Sequence, residues 1–111
     1  MSAMKFRQVS QATTNLAEVK AYGANLKGAL IINTNAAIRY VKLYDSTDSP
    51  TVGTTVPALT IEVPASGQLF LAWPDGVNFG HSMWMATTDN VADSDSTAVG
   101  AGDLITQLFY E

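Results

Sequence analysis

The clearest hydrophobic pattern in the chain lies between residues 26 and 45. Leu26 to Asn33 (LKGALIIN) and Ala36 to Asp45 (AAIRYVKLYD) are short runs rich in β-branched and aromatic side chains. Separated by Asn33-Thr34-Asn35, they predict two consecutive strands. Successive side chains of a strand point to opposite faces. Arg39, Val41 and Leu43 therefore share one side of the second run, and Ile38, Tyr40, Lys42 and Tyr44 the other. Neither side is a plain solvent face. Apolar side chains on both faces of a small sandwich strand imply that the second face is also covered, and the expected cover is a partner subunit.

The same alternation recurs downstream. Pro57 to Val63 (PALTIEV) sets Leu59, Ile61 and Val63 inward against Thr60 and Glu62. Pro64-Ala65-Ser66-Gly67 then turns the chain into Gln68 to Trp73 (QLFLAW), where Leu69, Leu71 and Trp73 oppose Phe70. Trp73-Pro74-Asp75-Gly76 carries proline and glycine at the second and fourth positions of a type I turn. Ser82 to Thr88 (SMWMATT) places Met83 and Met85 opposite Trp84 and Ala86. Asp103 to Tyr110 (DLITQLFY) sets Leu104, Leu108 and Tyr110 against Ile105 and Phe109. Residues 14 to 24 read two ways. Asn15 followed by Glu18 resembles a helix cap pair with Gly23 as the stop, yet Leu16 to Ala21 also fits an edge strand guarded by Glu18 and Lys20. The surrounding strands favour the second reading.

Between these runs lie two long loops and an arm. Residues 1 to 12 place Phe6 and Val9 among polar neighbours and predict a loose N-terminal arm that orders against a neighbour. Residues 45 to 57 (DSTDSPTVGTTVP) are longer than a tight hairpin needs, so the chain is expected to cross from one sheet to the other there. Asp89 to Asp103, which holds four aspartates and two glycines, predicts a mobile loop. The expectation is a single all-β domain over residues 13 to 111, an antiparallel β-sandwich of seven to eight strands, jelly-roll-like, with two four-stranded sheets.

Composition sharpens the picture. Six basic and ten acidic residues give a net charge of −4, against an affinity for nucleic acid or anionic membranes. Charged residues make up only 14% of the chain, where about a quarter is ordinary. There are no cysteines, which excludes disulfides and thiolate metal sites. The opening residues lack the apolar core of a secretory signal.

Candidate chemistry is sparse. His81 is the single histidine, and Gly80-His81-Ser82 is no nucleophile elbow, so it reads as a turn residue. Glu62 faces outward and the aspartates sit in loops, which does not make a glycosidase pair. Asp93-Ser94-Asp95-Ser96-Thr97 begins like a calcium loop, but Ala98 and Leu104 stand where glycine and glutamate belong; a different calcium site using Asp89, Asp93 and Asp95 stays open. Trp73, Trp84, Tyr22, Tyr40 and Tyr44 admit a carbohydrate-binding reading beside the commoner one of core or interface. No enzyme activity and no cofactor are expected. The expected contact residues are Phe6, Ile38, Tyr40 and Tyr44, and an aspartate at Tyr40 or Tyr44 is expected to disturb assembly more than folding. Were the tyrosine side the core, Arg39, Val41 and Leu43 would be the contact surface instead.

The run Asn33-Thr34-Asn35-Ala36-Ala37 into Arg39-Tyr40-Val41-Lys42-Leu43-Tyr44, then Pro50-Thr51-Val52-Gly53-Thr54 and Pro57, resembles a family of small proteins encoded by tailed bacteriophages and prophages. The likeness continues through Phe70, Trp73-Pro74-Asp75-Gly76, Phe79 and Ala92-Asp93-Ser94-Asp95, covering roughly residues 13 to 110. It implies a virion component, of a kind with small sandwich proteins that decorate or cement capsids, and does not by itself say head or tail; the expectation is a capsid decoration protein made in the host cytoplasm and placed on the phage head surface. Such proteins commonly sit as homotrimers that clamp the major capsid protein. A tail, neck or fibre-associated component, with or without glycan binding, is the alternative.

Overall fold

The computed structural model describes residues 3–111 and holds no helix among them. Its eight strands are β1 (Met4–Val9), β2 (Ala17–Lys20), β3 (Ala24–Asn33), β4 (Arg39–Asp45), β5 (Leu59–Val63), β6 (Gly67–Phe79), β7 (Met83–Thr88) and β8 (Leu104–Tyr110). β1 pairs with β8, β2 with β7, β3 with β6 and β4 with β5, all antiparallel. These four nested pairs amount to one long ribbon bent at the β4–β5 connection. Rolling the ribbon brings β3 against β8 and β4 against β7 as well. Two four-stranded sheets result, β1-β8-β3-β6 and β2-β7-β4-β5, which is the strand order of a jelly roll.

The core is the space between the sheets, and alternation fills it. The first sheet contributes Leu26, Ala29 and Ile31 from β3, Phe79 from β6, and Leu104 and Leu108 from β8. The second contributes Val19, Val41, Leu43, Ile61, Val63, Met83 and Met85. Of the two assignments left open for β4, the one with Val41 and Leu43 inward holds. Residues 17–20 are a strand at the edge of the second sheet.

Four expectations need correction. Residues 4–9 of the expected arm form an edge strand paired residue by residue with β8, from Met4↔Tyr110 to Val9↔Ile105, and Phe6 turns in against the core; Met1 and Ser2 lie outside the described residues. The 45–57 segment does not change sheets, because β4 and β5 are neighbours in one sheet. Pro74-Asp75-Gly76 does not end a strand. β6 runs through it with a bulge, Val77 pairing with Leu26 and Ala72 with Gly28. Lys27 Nζ donates to Pro74 O at 2.6 Å and Gly76 adopts φ +83°, so the extra residues loop out while the strand resumes beyond them.

The fourth correction concerns what covers the second face of β4. Lys42, Tyr44, Ala86 and Thr88 lie on the outer side of the second sheet, yet all are buried. The chain's own 89–103 loop covers them. Lys42 Nζ donates to the carbonyls of Ala92 (2.7 Å) and Asp95 (3.2 Å), and Thr88 Oγ1 donates to Asn90 O (2.9 Å). The 46–58 loop closes against it. A Cβ on Gly53 would lie 3.2 Å from both Ser94 O and Ser96 Cβ, and Gly53 has φ +91°, so this contact needs glycine. The 89–103 loop is thus a packed lid on the sheet, pinned by hydrogen bonds.

Candidate functional site

With the second sheet covered, the open surface is the outer face of the first. Register and alternation lay its side chains out in three rows, β6 to β1: Gln68, Ile32, Ile105, Val9; then Phe70, Leu30, Gln107, Arg7; then Ala72, Gly28, Phe109, Lys5. The middle is apolar. Phe70 is 66% exposed and Val9 39%, and Leu30, Ile32, Ile105 and Phe109 are half-buried by one another. Among the described residues no loop folds over them as the 89–103 loop folds over the second sheet.

The charges on this face are one-sided. Lys5 and Arg7 line the β1 margin, both exposed, and no acidic residue stands in the three rows. Among the described residues neither cation has an ion pair, whereas Lys27 meets Glu111 at 3.5 Å beyond the third row. The face is thus an apolar field with a basic edge, on a chain of net charge −4.

The expected contact residues do not form one surface. Tyr44 is fully buried beneath the 89–103 loop, its hydroxyl without a partner, and cannot be a contact. Burial, reinforced by the Asp93 carboxylate, pushes its phenol pKa up. Phe6 belongs to the core. Ile38 and Tyr40 remain at the surface, the Tyr40 hydroxyl 3.5 Å from Glu62 Oε1. The open face is not legible in the sequence, because residues 4–9 carry no strand pattern of their own and Lys5, Arg7 and Val9 gain strand neighbours only by pairing with β8. Its signals were the outward Phe70 and the outward Ile105 and Phe109.

The acidic loop has its own chemistry. The Lys42 ammonium takes the Ala92 and Asp95 carbonyls that a cation in this loop would use. Burial lowers the Lys42 pKa, with Asp95 and Asp93 working against the shift. Burial would raise the Asp95 carboxyl pKa, but bonds from Thr97 and Asn90 outweigh it and hold the pKa below its ordinary value. Asp103 behaves alike: bonds from the Gly100 N–H and the Asn35 amide, together with Arg39, overcome the effect of burial. Arg39 reaches Asp89 at 3.0 Å and Asp103 at 3.5 Å, tying both ends of the loop to β4. Among the described residues no three His, Asp or Glu side chains converge as a metal site would require.

At one end of the sandwich the β2–β3, β4–β5 and β6–β7 connections meet around a cleft of about 460 Å³. His81 sits there, its Nδ1 3.3 Å from Asp45 Oδ1. Ser82 beside it is buried, its Oγ accepting the Tyr22 N–H at 3.4 Å, so no free nucleophile faces the imidazole. Of the aromatic residues considered for sugar stacking, Trp73 packs on the core, and Trp84 is part-buried with its Nε1 donating to Ser46 O at 3.0 Å. Tyr22 alone stands free, 98% exposed. No family model matches the chain, and no curated protein matches it either.

Proposed function

We propose that this chain is a non-enzymatic structural protein of a tailed-phage virion, a capsid-decorating protein that binds the major capsid protein through the outer face of its first sheet. The observation that carries the reading is the contrast between the two sheets. The apolar middle of one outer face, around Tyr44 and Ala86, is covered by the chain's own loop and its open margin carries the polar Thr60 and Glu62, while the other face leaves Phe70, Ile105 and Phe109 uncovered beside Lys5 and Arg7. An apolar field of this kind marks a docking surface. Each contact adds about 25 cal/mol per Å² of apolar area, and many copies on one shell reinforce one another. The sequence resemblance to small phage proteins supplies the setting, a phage particle assembled after synthesis in the host cytoplasm; the placement on the head surface is itself proposed.

Charge favours a shell over a second copy as the occupant of this face. Two such faces packed together with β1 against β1 would oppose like charges. With β1 over β6, Lys5 and Arg7 would meet Gln68, Phe70 and Ala72, which offer no anion. An acidic-rimmed apolar patch on a capsid subunit answers both features. Contacts between copies in a homo-oligomer, most simply a trimer, then fall elsewhere, with Ile38 and Tyr40 as surface candidates.

Mass spectrometry and a cryo-electron map of purified particles test the reading. A copy number matching the shell's subunits, with the first sheet facing the shell, is the expected result. Absence from the particle, or a first sheet facing solvent, would sink it. The alternative, a tail or fibre component that engages glycans, is favoured by one observation, the free Tyr22 ring at the loop end. A copy number matching a tail ring would select it.

A further inference from the structure

Tyr22 combines two unusual features. Its ring is almost wholly in water, and its backbone adopts φ +62°, a region that bulky residues rarely occupy. Strain at a single exposed aromatic residue is a feature of recognition sites rather than of scaffold. The surroundings are held firmly. Asp45 accepts the backbone N–H groups of Gly80 (3.2 Å) and His81 (2.8 Å), and Ser46 N donates to Ser82 O at 3.0 Å. The Trp84 indole fixes Ser46 from below. These bonds tie the β4–β5 and β6–β7 connections to each other, and the Tyr22 N–H reaches Ser82 Oγ at 3.4 Å to bring the β2–β3 turn beside them, so that Glu18, Tyr22, Thr47, His81 and Ser82 line one cleft.

We infer that this loop-end cleft binds a neutral saccharide, with the Tyr22 ring as stacking platform and Glu18, Thr47 and His81 as hydrogen-bonding partners for its hydroxyls. The partially positive C–H face of a pyranose suits the negative face of an aromatic ring, by the same electrostatics that set aromatic edge-to-face pairs. Two carboxylates, Glu18 and Asp45, stand against the one ammonium nearby, that of Lys20 held on Ala21 O at 2.7 Å, and this balance disfavours phosphate, so a nucleotide or phosphosugar is not the expected ligand. A protein anchor of this exposure would be ringed by apolar contacts that exclude water. Here no large apolar side chain lines the cleft beside Tyr22, whose side-chain neighbours are Glu18, Thr47, His81 and Ser82 with the small Ala21. The cleft lies apart from the open sheet face, so the inference does not depend on shell binding.

The test is an NMR titration of the whole protein with glucose, galactose, mannose and N-acetylglucosamine, and with their β-linked tetrasaccharides. The expected result is saturable shifts at Glu18, Tyr22, Thr47 and His81 with at least one probe. Tyr22→Ala should then weaken binding about tenfold or more, and Tyr22→Phe should leave it nearly intact. Tyr22→Gly provides a folded control. Glycine relieves the positive φ, so its melting temperature should not fall although binding is lost. The inference is overturned if no probe shifts these residues saturably, if Tyr22→Ala binds as well as the parent, or if a cryo-electron map shows Tyr22 inserted into another protein.

Discussion

Lys42 has no water to solvate its ammonium and depends on two loop carbonyls for its bonds. Removing a charged donor from buried acceptors typically costs about 2 kcal/mol. We expect Lys42→Met to lose that much stability and, as the sharper sign, to lose hydrogen-exchange protection in residues 89–99 while the strand amides keep theirs. Tyr44→Asp should be worse, because it buries a carboxylate beside Asp93; more than about 3 kcal/mol is expected, against less than about 1 for the surface change Tyr40→Asp. Urea melts of the two variants check this. In acid, Asp95 and Asp103 each contribute a pH dependence. Their folded pKa values lie below the ordinary 3.8, so within that interval the unfolded chain binds more protons than the native one. Their stabilisation is complete above that interval and is lost as pH falls through it. Melting temperatures should hold down to about pH 5 and then decline, less steeply in Asp103→Asn. The sequence made Lys42 and Tyr44 legible as oddities on a second greasy face. What covered them was not legible, since a run of Asp, Ser and Thr does not say which sheet it will lie upon.

Among the elements, the interior strands were readable because alternation of period two identifies both their existence and their inner face. Leu59, Ile61 and Val63 on β5, and Leu104 and Leu108 on β8, point where the pattern sends them. Two elements were not. β6 carries Pro74 and Gly76, which locally spell a turn; only long-range pairing with β3, with Lys27 bonded to Pro74 O, keeps the strand going past them. β1 has one inward aromatic, Phe6, too little for a local pattern, and it is a strand because β8 offers it an edge. Phe70→Asp with Ile105→Lys, both on the open face, should leave the melting temperature within a few degrees while abolishing sedimentation with capsids. Loss of folding in circular dichroism would instead assign these side chains to the core.

For the molecule as a whole, the all-β sandwich followed from the number and spacing of strands, and the nested pairings gave it the jelly-roll order. The open apolar face of the first sheet did not follow, because it spans four strands distant in sequence and becomes visible only when their registers are aligned. Its basic margin leads to a further expectation. Shell binding by the parent should weaken as salt is raised, and Arg7→Glu should weaken it and flatten that dependence, measured by co-sedimentation across a salt series.

The nesting that pairs Met4 with Tyr110 brings the two extremities of the described chain to a single corner. A short bridge there would seal the polypeptide into a ring, and a cut at the exposed Pro64–Ser66 bend would reopen it with the order of its segments exchanged. A passenger attached at either extremity would leave from beside Lys5, at the basic margin of the open apolar face.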